Sequence, residues 1–326
     1  MLYPLIFHPI FKERVWGGRR LDGLFQKPLP TGAVIGESWE ISDRPGDVSV
    51  IANGALAGRD LHWLWEHHRA DLLGNANVRG DRFPLLIKLL DAQKKLSLQV
   101  HPPRARAIEL AGEPKTEMWY IAEAQPGAEL YVGLKSGVTR QEFEQKLKDG
   151  TVADCFHRIK VKAGDAMFLP SGRVHAIGSG LVIFEIQQNS DTTYRVFDWN
   201  RVGLDGQPRA LHLRESLQSI DFGDFEPSLV SSEAIKKGAV TVRSLVKDPL
   251  FETESLEIEA GAASTLETGK LHILGVVTGR IEVSSQQGCA SLSAGQFCVI
   301  PAAVTNASLR ADPGAVLLRS CLGEGR

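Results

Sequence analysis

Two stretches of this chain, about 130 residues apart, share the same skeleton. Gly164 to His175 reads GDAMFLPSGRVH, and Gly295 to Asn306 reads GQFCVIPAAVTN. In both, a glycine is followed by five residues, a proline and, five positions after the proline, a polar side chain. Turn residues at fixed offsets around apolar runs are typical of strands joined by tight turns. The exchange of His for Asn predicts a duplicated β-domain with one working copy, holding a metal site near His175, and one structural copy.

The length and composition are those of an ordinary globular protein. The 326 residues are enough for two cores, or for one core with a large insertion. A formal net charge of −2 argues against a nucleic-acid binder, which normally has a basic domain or stripe. A local cluster of Lys and Arg can still hold a small anionic substrate on a nearly neutral protein.

The sequence predicts a cytoplasmic protein without a membrane partner. Its apolar runs are too short for a membrane span, and the first residues, MLYPLIFHPIFKERVWGG, carry Pro, His and charges that a signal peptide lacks. The four cysteines have no CxxC spacing, and we expect reduced, mostly buried thiols at Cys155, Cys289, Cys298 and Cys321.

Hydrophobic periodicity predicts a mainly β fold with a few helices. From about Ala239 to the end the pattern is almost purely β, as in a sandwich or barrel. Asp60 can cap a helix that Gly74 ends, with Leu61, Leu64, Trp65 and His68 on one face. Further helices are expected at Arg104 to Leu110, after the capping box that begins at Thr139, and around Leu211 to Ile220.

Four side chains of the first copy are of the metal-ligand type. Gln99 and His101 lie two apart on a predicted strand and therefore on the same face. Glu117 opens the next β-run, and His175 follows the turn of the repeat. Two imidazoles, a carboxylate and an amide oxygen suit Zn²⁺, Fe²⁺, Mn²⁺ or Co²⁺. A lone His on a strand is more often structural, but four such residues together favour a metal site.

With these residues in view, the chain resembles the type I mannose-6-phosphate isomerases in their short bacterial form, within the cupin superfamily. The resemblance spans nearly the whole chain, and the combination of motifs is specific. The motifs are Gly36-Glu-Ser-Trp-Glu40, Ser97-Leu-Gln-Val-His-Pro102, Lys115-Thr-Glu-Met-Trp-Tyr120, Leu169-Pro-Ser-Gly-Arg-Val-His-Ala-Ile177 and Glu185-Ile-Gln-Gln-Asn-Ser-Asp-Thr-Thr-Tyr-Arg-Val-Phe-Asp198.

The resemblance implies two cupin (jelly-roll) β-barrels, the first with a small helical insertion at about residues 56–115. Residues 1–238 would form the catalytic metal-binding domain. Residues 239–326 would form a degenerate cupin domain with a structural or dimerising role, in a monomer or homodimer. Longer enzymes of the family have a histidine where this chain has Pro114, so a role for that histidine cannot be transferred.

The resemblance also implies roles for individual residues. The four ligand-type side chains match the family's zinc ligands, which implies one divalent metal with Zn²⁺ favoured. Arg195 matches the catalytic arginine and Lys115 an active-site lysine. Ser97 matches a serine near the substrate phosphate, while Lys88 and Asp191 match positions that line the same cleft.

The implied reaction interconverts mannose 6-phosphate and fructose 6-phosphate through a cis-enediol. Arg195 suits the developing oxyanion, unless it forms a structural ion pair with Asp191 or Asp198. Lys115 can act as the base only if its pKa is depressed; otherwise it contacts phosphate or hydroxyl groups. Ser97 and Lys88 can hold the phosphate, although neighbouring lysines compete for that role.

Three alternatives stay open. An Fe²⁺-dependent cupin oxygenase would use His101, His175 and Glu117 as a facial triad. A sugar-phosphate sensor would keep the fold and bind without turnover. An isomerase of another sugar or sugar phosphate would keep the chemistry and change the pocket, because cupin folds host many functions.

Overall fold

The structure, a computed structural model, describes residues 1–324. Its first unit is built from short strands with five helices between them, α1 (Arg20–Phe25), α2 (Leu61–Leu73), α3 (Arg104–Ala107), α4 (Arg140–Lys148) and α5 (Leu213–Ser219). The strands of this unit are β1 (Ile10–Gly18), β2 (Ile35–Ile41), β3 (Asp43–Arg44), β4 (Asp47–Val48), β5 (Leu85–Ala92), β6 (Leu98–Val100), β7 (Glu117–Ala124), β8 (Glu129–Leu134), β9 (Phe156–Lys160), β10 (Ala166–Leu169), β11 (His175–Ile177), β12 (Leu181–Gln188) and β13 (Tyr194–Phe197).

The second unit is made of strands alone within the described residues. They are β14 (Ala234–Lys237), β15 (Val240–Lys247), β16 (Phe251–Ile258), β17 (Ala263–Thr265), β18 (His272–Thr278), β19 (Arg280–Ser285), β20 (Gly288–Ser293), β21 (Phe297–Ile300), β22 (Ser308–Ala311) and β23 (Ala315–Leu322).

The two units repeat one topology. The six-stranded sheet β1-β2-β5-β12-β7-β10 of the first has its counterpart in β14-β15-β16-β23-β18-β21 of the second. The order β6-β11-β8-β9 likewise corresponds to β17-β22-β19-β20, and the first unit adds β13 beside β6. The repeated motif occupies the same place in both copies, β10–β11 and β21–β22. The predicted fold class, a duplicated jelly roll, is therefore confirmed.

The units pack against each other through their six-stranded sheets. Phe184 of β12 and Phe297 of β21 lie 5.3 Å apart between ring centroids, within one buried cluster that draws on both sheets. Leu5 also pairs with Val299 across the units. On its opposite face, each six-stranded sheet packs against the smaller sheet of its own unit, and a separate apolar core lies between the two sheets. Burial of each large apolar side chain contributes roughly 1.5–3 kcal/mol, so this shared core holds the units together.

The cap and stop residues that the sequence predicted for α2 are found in the structure. The Asp60 carboxylate accepts a hydrogen bond from the Trp63 amide at 2.7 Å, and Gly74 ends α2 with a φ of 62°. The sequence placed His68 on one face with Leu61, Leu64 and Trp65, and the structure shows a kink in α2 at this residue. His68 has the non-helical angles φ −135° and ψ 25°, and its side chain is partly covered.

Two further sequence expectations concern the boundaries of the C-terminal domain and of the helical insertion. Strand β14 pairs with β15 in the six-stranded sheet of the second unit, although it lies before residue 239, where the sequence predicted the C-terminal domain to begin. The segment at about residues 56–115 holds the central strand β5 and also β6, besides α2 and α3. The domain division itself stays a prediction. Within residues 1–324, no helix is long and apolar enough to span a membrane, and all four cysteines are unpaired.

Candidate active site

Three buried side chains from three strands converge in the interior of the first unit. His101 follows β6, Glu117 opens β7 and His175 opens β11. His101 Nε2 lies 3.6 Å from Glu117 Oε2, and His175 Nε2 lies 3.4 Å from Glu117 Oε1. All three side chains are at most 1% exposed, and their ligand atoms lie within 4.8 Å of one another.

Hydrogen bonds orient both imidazoles for metal binding. His101 Nδ1 donates to the Thr192 carbonyl at 2.8 Å, and His175 Nδ1 donates to the Arg173 carbonyl at 2.9 Å. Each Nε2 therefore presents its lone pair to Glu117. Burial lowers the pKa of His175 to about 4 and that of His101 well below its ordinary value. The contacts with Glu117 are accordingly those of neutral rings, the form in which His binds metals.

The cluster leaves buried polar atoms without a hydrogen-bond partner within the described chain. They are His101 Nε2 and Glu117 Oε1, while Glu117 Oε2 has the Lys115 ammonium 3.0 Å away. Each such atom costs about 1–3 kcal/mol when nothing compensates it. A divalent cation among these atoms would satisfy them, so the residues fit the group that the sequence predicted.

Gln99 completes the predicted set. It pairs with His175 across β6 and β11, and its Nε2 lies 3.3 Å from His175 Nε2. The nitrogen and oxygen ends of a side-chain amide have nearly the same shape, so a rotation of the amide brings the oxygen to this position. The structure thus brings together all four predicted ligands.

A cavity of about 600 Å³ adjoins the cluster and collects the other predicted residues. Lys88, Ser97, Lys115, Asp191 and Arg195 all line it, as does Gln99. Polar and charged groups that converge on one concave space are the usual mark of a small-molecule site.

The inner wall of the cavity carries alternating charges. Lys115 Nζ lies 3.0 Å from Glu117 Oε2, and Lys88 Nζ lies 3.2 Å from Glu185 Oε2, whose other oxygen accepts from Trp119 Nε1 at 2.9 Å. Burial lowers the pKa of Lys115, but the carboxylates of Glu117 and Glu185 more than offset this and raise it above its ordinary value. The pKa of Lys115 in this arrangement is therefore raised rather than depressed, and its role as base or as hydrogen-bond donor stays a prediction.

Arg14 and Glu37, which the sequence had not assigned, extend these alternating charges along the cavity. We call the series Arg14, Glu37, Lys88, Glu185 and Glu117 the charge row. Glu37 accepts from Arg14 Nε at 3.0 Å, from Arg14 Nη2 at 3.2 Å and from Trp39 Nε1 at 2.6 Å. Burial raises the pKa of Glu37, but Lys88 and Arg14 outweigh it and lower the pKa to about 2. The only signal for Glu37 was its place in the motif that begins at Gly36, and Arg14 had no signal.

Arg195 lies on β13 and pairs with Gln99. Its Nη1 donates to the Ala210 carbonyl at 2.8 Å, while its buried Nε has no partner in the described chain. The alternative of a structural ion pair with Asp198 is not realised, because that carboxylate binds Arg201 and Arg209. Arg195 therefore keeps free donors at the cavity wall.

Lys95, one of the neighbouring lysines that compete with Lys88 for the phosphate, is engaged elsewhere. Lys95 Nζ donates to the Tyr131 hydroxyl at 2.8 Å and lies over the Trp199 ring. Ser97 is 4% exposed and lines the cavity together with Lys88. The geometry thus favours Ser97 and Lys88 over Lys95 as residues that contact the phosphate.

The second unit has lost the metal cluster at the equivalent positions. Glu117 pairs with the last residue of β10, and His272 pairs with the last residue of β21, so His272 takes the place of the carboxylate. Its Nε2 donates to the Glu267 carbonyl at 2.9 Å, and the Cys321 thiol, 3.1 Å away, donates to its Nδ1. In the repeated sequence motif, Asn306 holds the position of His175. Across residues 1–324 the one cluster of three or more acidic, His or Cys ligands is that of the first unit.

Two copies of one jelly roll, the first with a buried cluster of metal-ligand side chains, define the class of duplicated cupin folds. Residues 5–117 match the family model for the catalytic domain of type I phosphomannose isomerase. The chain is 38% identical over 301 residues to mannose-6-phosphate isomerase ManA of Bacillus subtilis, covering 91% of this chain and 93% of that protein. Mannose-6-phosphate isomerase of Streptococcus mutans is 37% identical over 304 residues, 92% and 93% of the two chains. The chain belongs to the type I phosphomannose isomerase family.

Solved structures agree with this assignment. The crystal structure of the Bacillus subtilis mannose 6-phosphate isomerase superposes with a TM-score of 0.89 at 31% identity and covers 98% of this chain and 99% of that one. A putative mannosephosphate isomerase from Archaeoglobus fulgidus has a TM-score of 0.78 at 24% identity, over 99% of each chain, and shows the shared fold. Family membership implies an enzyme that uses a divalent metal, and the His101–Glu117–His175 cluster fits one.

Proposed function

We propose that this protein interconverts mannose 6-phosphate and fructose 6-phosphate as a metal-dependent aldose–ketose isomerase. The observation that carries the proposal is the buried cluster of two neutral imidazoles and a carboxylate beside a cavity of cationic side chains. An aldose–ketose isomerase needs an electrophile at the carbonyl and charge stabilisation for an enediolate. The choice of mannose 6-phosphate as substrate rests on the relatives named mannose-6-phosphate isomerase, at 37–38% identity.

Zn²⁺ is the metal we propose, held by Gln99, His101, Glu117 and His175. The mixed nitrogen and oxygen donors suit zinc, and the carbonyl hydrogen bonds behind both imidazoles are the usual support of a catalytic zinc site. When bound, such an ion acts as a Lewis acid on the carbonyl and hydroxyl oxygens of the sugar. With reduced thiols and a sugar-phosphate substrate, the cytoplasm is the compartment we propose.

Two cationic side chains would act on the reacting end of the sugar. Arg195 has an unpartnered buried Nε and a planar, permanently charged head, which suits the oxyanion of the enediolate. Lys115 lies 3.0 Å from Glu117 at the edge of the metal cluster, so it would donate a hydrogen bond to a substrate oxygen there. We assign it this donor role.

The remaining predicted residues would bind the rest of the substrate. Lys88 and Ser97 are close to fully buried and face the cavity, where a phosphate or hydroxyl oxygen can reach them. Asp191 lines the same cavity from its exposed side and can accept from sugar hydroxyls. Charge-assisted hydrogen bonds of this kind are about twice as strong as neutral ones, so they would hold the sugar in register.

A matched pair of variants tests the proposal. His101→Ala should lose bound zinc and turnover of mannose 6-phosphate, because it removes a ligand from the cluster. His272→Ala removes a buried histidine of the second unit and should keep both. Zinc content is measured by elemental analysis and turnover by fructose 6-phosphate formation. Equal zinc and activity in the two variants would refute the assigned site.

The same triad also fits an Fe²⁺-dependent oxygenase, which is the second candidate. Oxygen uptake by Fe²⁺-loaded protein without sugar turnover would favour it. Turnover of another sugar phosphate, with none of mannose 6-phosphate, would keep the chemistry and change the substrate.

A further inference from the structure

Arg14 on β1 is a cavity-lining residue without an assigned role. Strand β1 shifts register against β2 on both sides of Glu13, and such a bulge re-aims the neighbouring side chains. Gly36 on β2 makes room for them, because a Cβ there would lie 2.5 Å from Arg14 Cβ and 2.8 Å from the Trp16 ring. The local backbone thus places Arg14 against the wall of the cavity.

The Arg14 guanidinium is held as a rigid fork with donors to spare. Its Nε and Nη2 donate to the two oxygens of Glu37 at 3.0 and 3.2 Å, and its Nη1 donates to the Glu13 carbonyl at 3.2 Å. A guanidinium has five N–H groups, so two of them remain for a ligand. The Arg14 side chain is 31% exposed against 12% for Glu37, so the fork is reachable while its anchor is largely covered.

Arg14 also lies at the far end of the charge row from the metal cluster. The row passes from Arg14 on β1 to Glu37 on β2, Lys88 on β5, Glu185 on β12 and Glu117 on β7, five consecutive strands of one sheet. A hexose 6-phosphate with C1 and C2 at the metal cluster must extend its phosphate away from that cluster. Lys88 lies between two carboxylates, whereas Arg14 is bound to one and keeps a free edge.

We propose that Arg14, anchored by Glu37, binds the phosphate of the substrate and thereby selects phosphorylated over unphosphorylated sugars. This inference rests on the proposed isomerase function. Planar bidentate donors match phosphate oxygens in a way that a lysine ammonium does not. Arg209 also lines the cavity and donates to both oxygens of Asp198 at 2.7 and 2.5 Å, so it is the competing cation that the test separates from Arg14.

The test compares Arg14→Ala and Arg14→Lys with wild type, using mannose 6-phosphate and unphosphorylated mannose. Loss of a charge-assisted phosphate contact should raise KM for mannose 6-phosphate by roughly tenfold to a hundredfold in Arg14→Ala, with a small change in kcat. The inhibition constant of inorganic phosphate should rise in parallel. Turnover of mannose at high concentration should stay within about twofold of wild type. Arg14→Lys should recover part of the loss, because charge returns without the fork.

The control is Arg19→Ala, a nearby exposed arginine that bonds the carbonyls of Pro30 and Ala33. It should keep the wild-type KM for both sugars. An unchanged KM and phosphate inhibition in Arg14→Ala would overturn the proposal and move attention to Arg209. An equal loss on both sugars would also overturn it, since that is a merely structural effect. Wild-type protein that turns over neither sugar would instead refute the isomerase function, and calorimetric binding of inorganic phosphate to wild type and Arg14→Ala would still test the phosphate contact.

Discussion

Glu37→Gln tests the charge row by its effect on stability. The substitution keeps the size of the side chain and removes the negative charge that Arg14 and Lys88 share. The folded protein holds the pKa of Glu37 at about 2, against an ordinary value of 4.5, and a shift of one unit corresponds to about 1.36 kcal/mol. The carboxylate therefore contributes roughly 3 kcal/mol to the free energy of unfolding at neutral pH.

The sign of the pH dependence follows from the lowered pKa. The contribution of Glu37 is fully present above the unfolded value of 4.5 and is lost as the pH falls toward 2. About 2 kcal/mol of it should disappear between pH 7 and pH 3. Wild type and Glu37→Gln should thus differ most at pH 7 and converge in acid.

The assay is urea unfolding of both proteins, treated with chelator, at a series of pH values from 7 to 3. Glu259→Gln serves as the control, because it removes an exposed ion pair with Lys236 that solvent and salt screen. A gap between wild type and Glu37→Gln that stays constant over this range would refute the reasoning. A gap at pH 7 no larger than that of the control would also refute it.

Three further substitutions have definite expectations. Lys27→Ala should lower the free energy of unfolding by about 3–5 kcal/mol in urea titrations, because it leaves Glu40 buried without the ammonium that now lies 2.7 Å away. Arg195→Lys should lower kcat by roughly a hundredfold with zinc content unchanged, as measured by steady-state kinetics and elemental analysis, and a normal kcat would contradict its role. Asn306→His should leave the zinc content at one per chain, since His272 replaces the carboxylate that a second site would need.

The sequence predicted the duplicated fold from local signals, and it predicted the metal cluster from ligand-type side chains together with the resemblance to a known family. Ligand-type side chains two apart on a strand, such as Gln99 and His101, must share a face. The Gly and Pro residues of the repeated motif mark the same strand–turn–strand in both units. Helix caps such as Asp60 are equally local, and the structure confirms this one.

The charge row could not be predicted in the same way. Arg14 meets Glu37 because β1 and β2 pair with irregular register, and Lys88 meets Glu185 because β5 and β12 pair directly. These contacts depend on strand order, which the sequence pattern leaves open. The raised pKa of Lys115 has the same origin, since it requires the Glu117 and Glu185 carboxylates on two neighbouring strands. The kink at His68 likewise had no signal in the helical periodicity.

The most direct test of the account is a zinc titration of chelator-treated protein, followed by turnover of mannose 6-phosphate to fructose 6-phosphate. The account predicts no turnover without metal and a linear rise that ends at one zinc per chain. Full turnover by metal-free protein would contradict it, as would zinc-replete, folded protein that leaves mannose 6-phosphate unchanged.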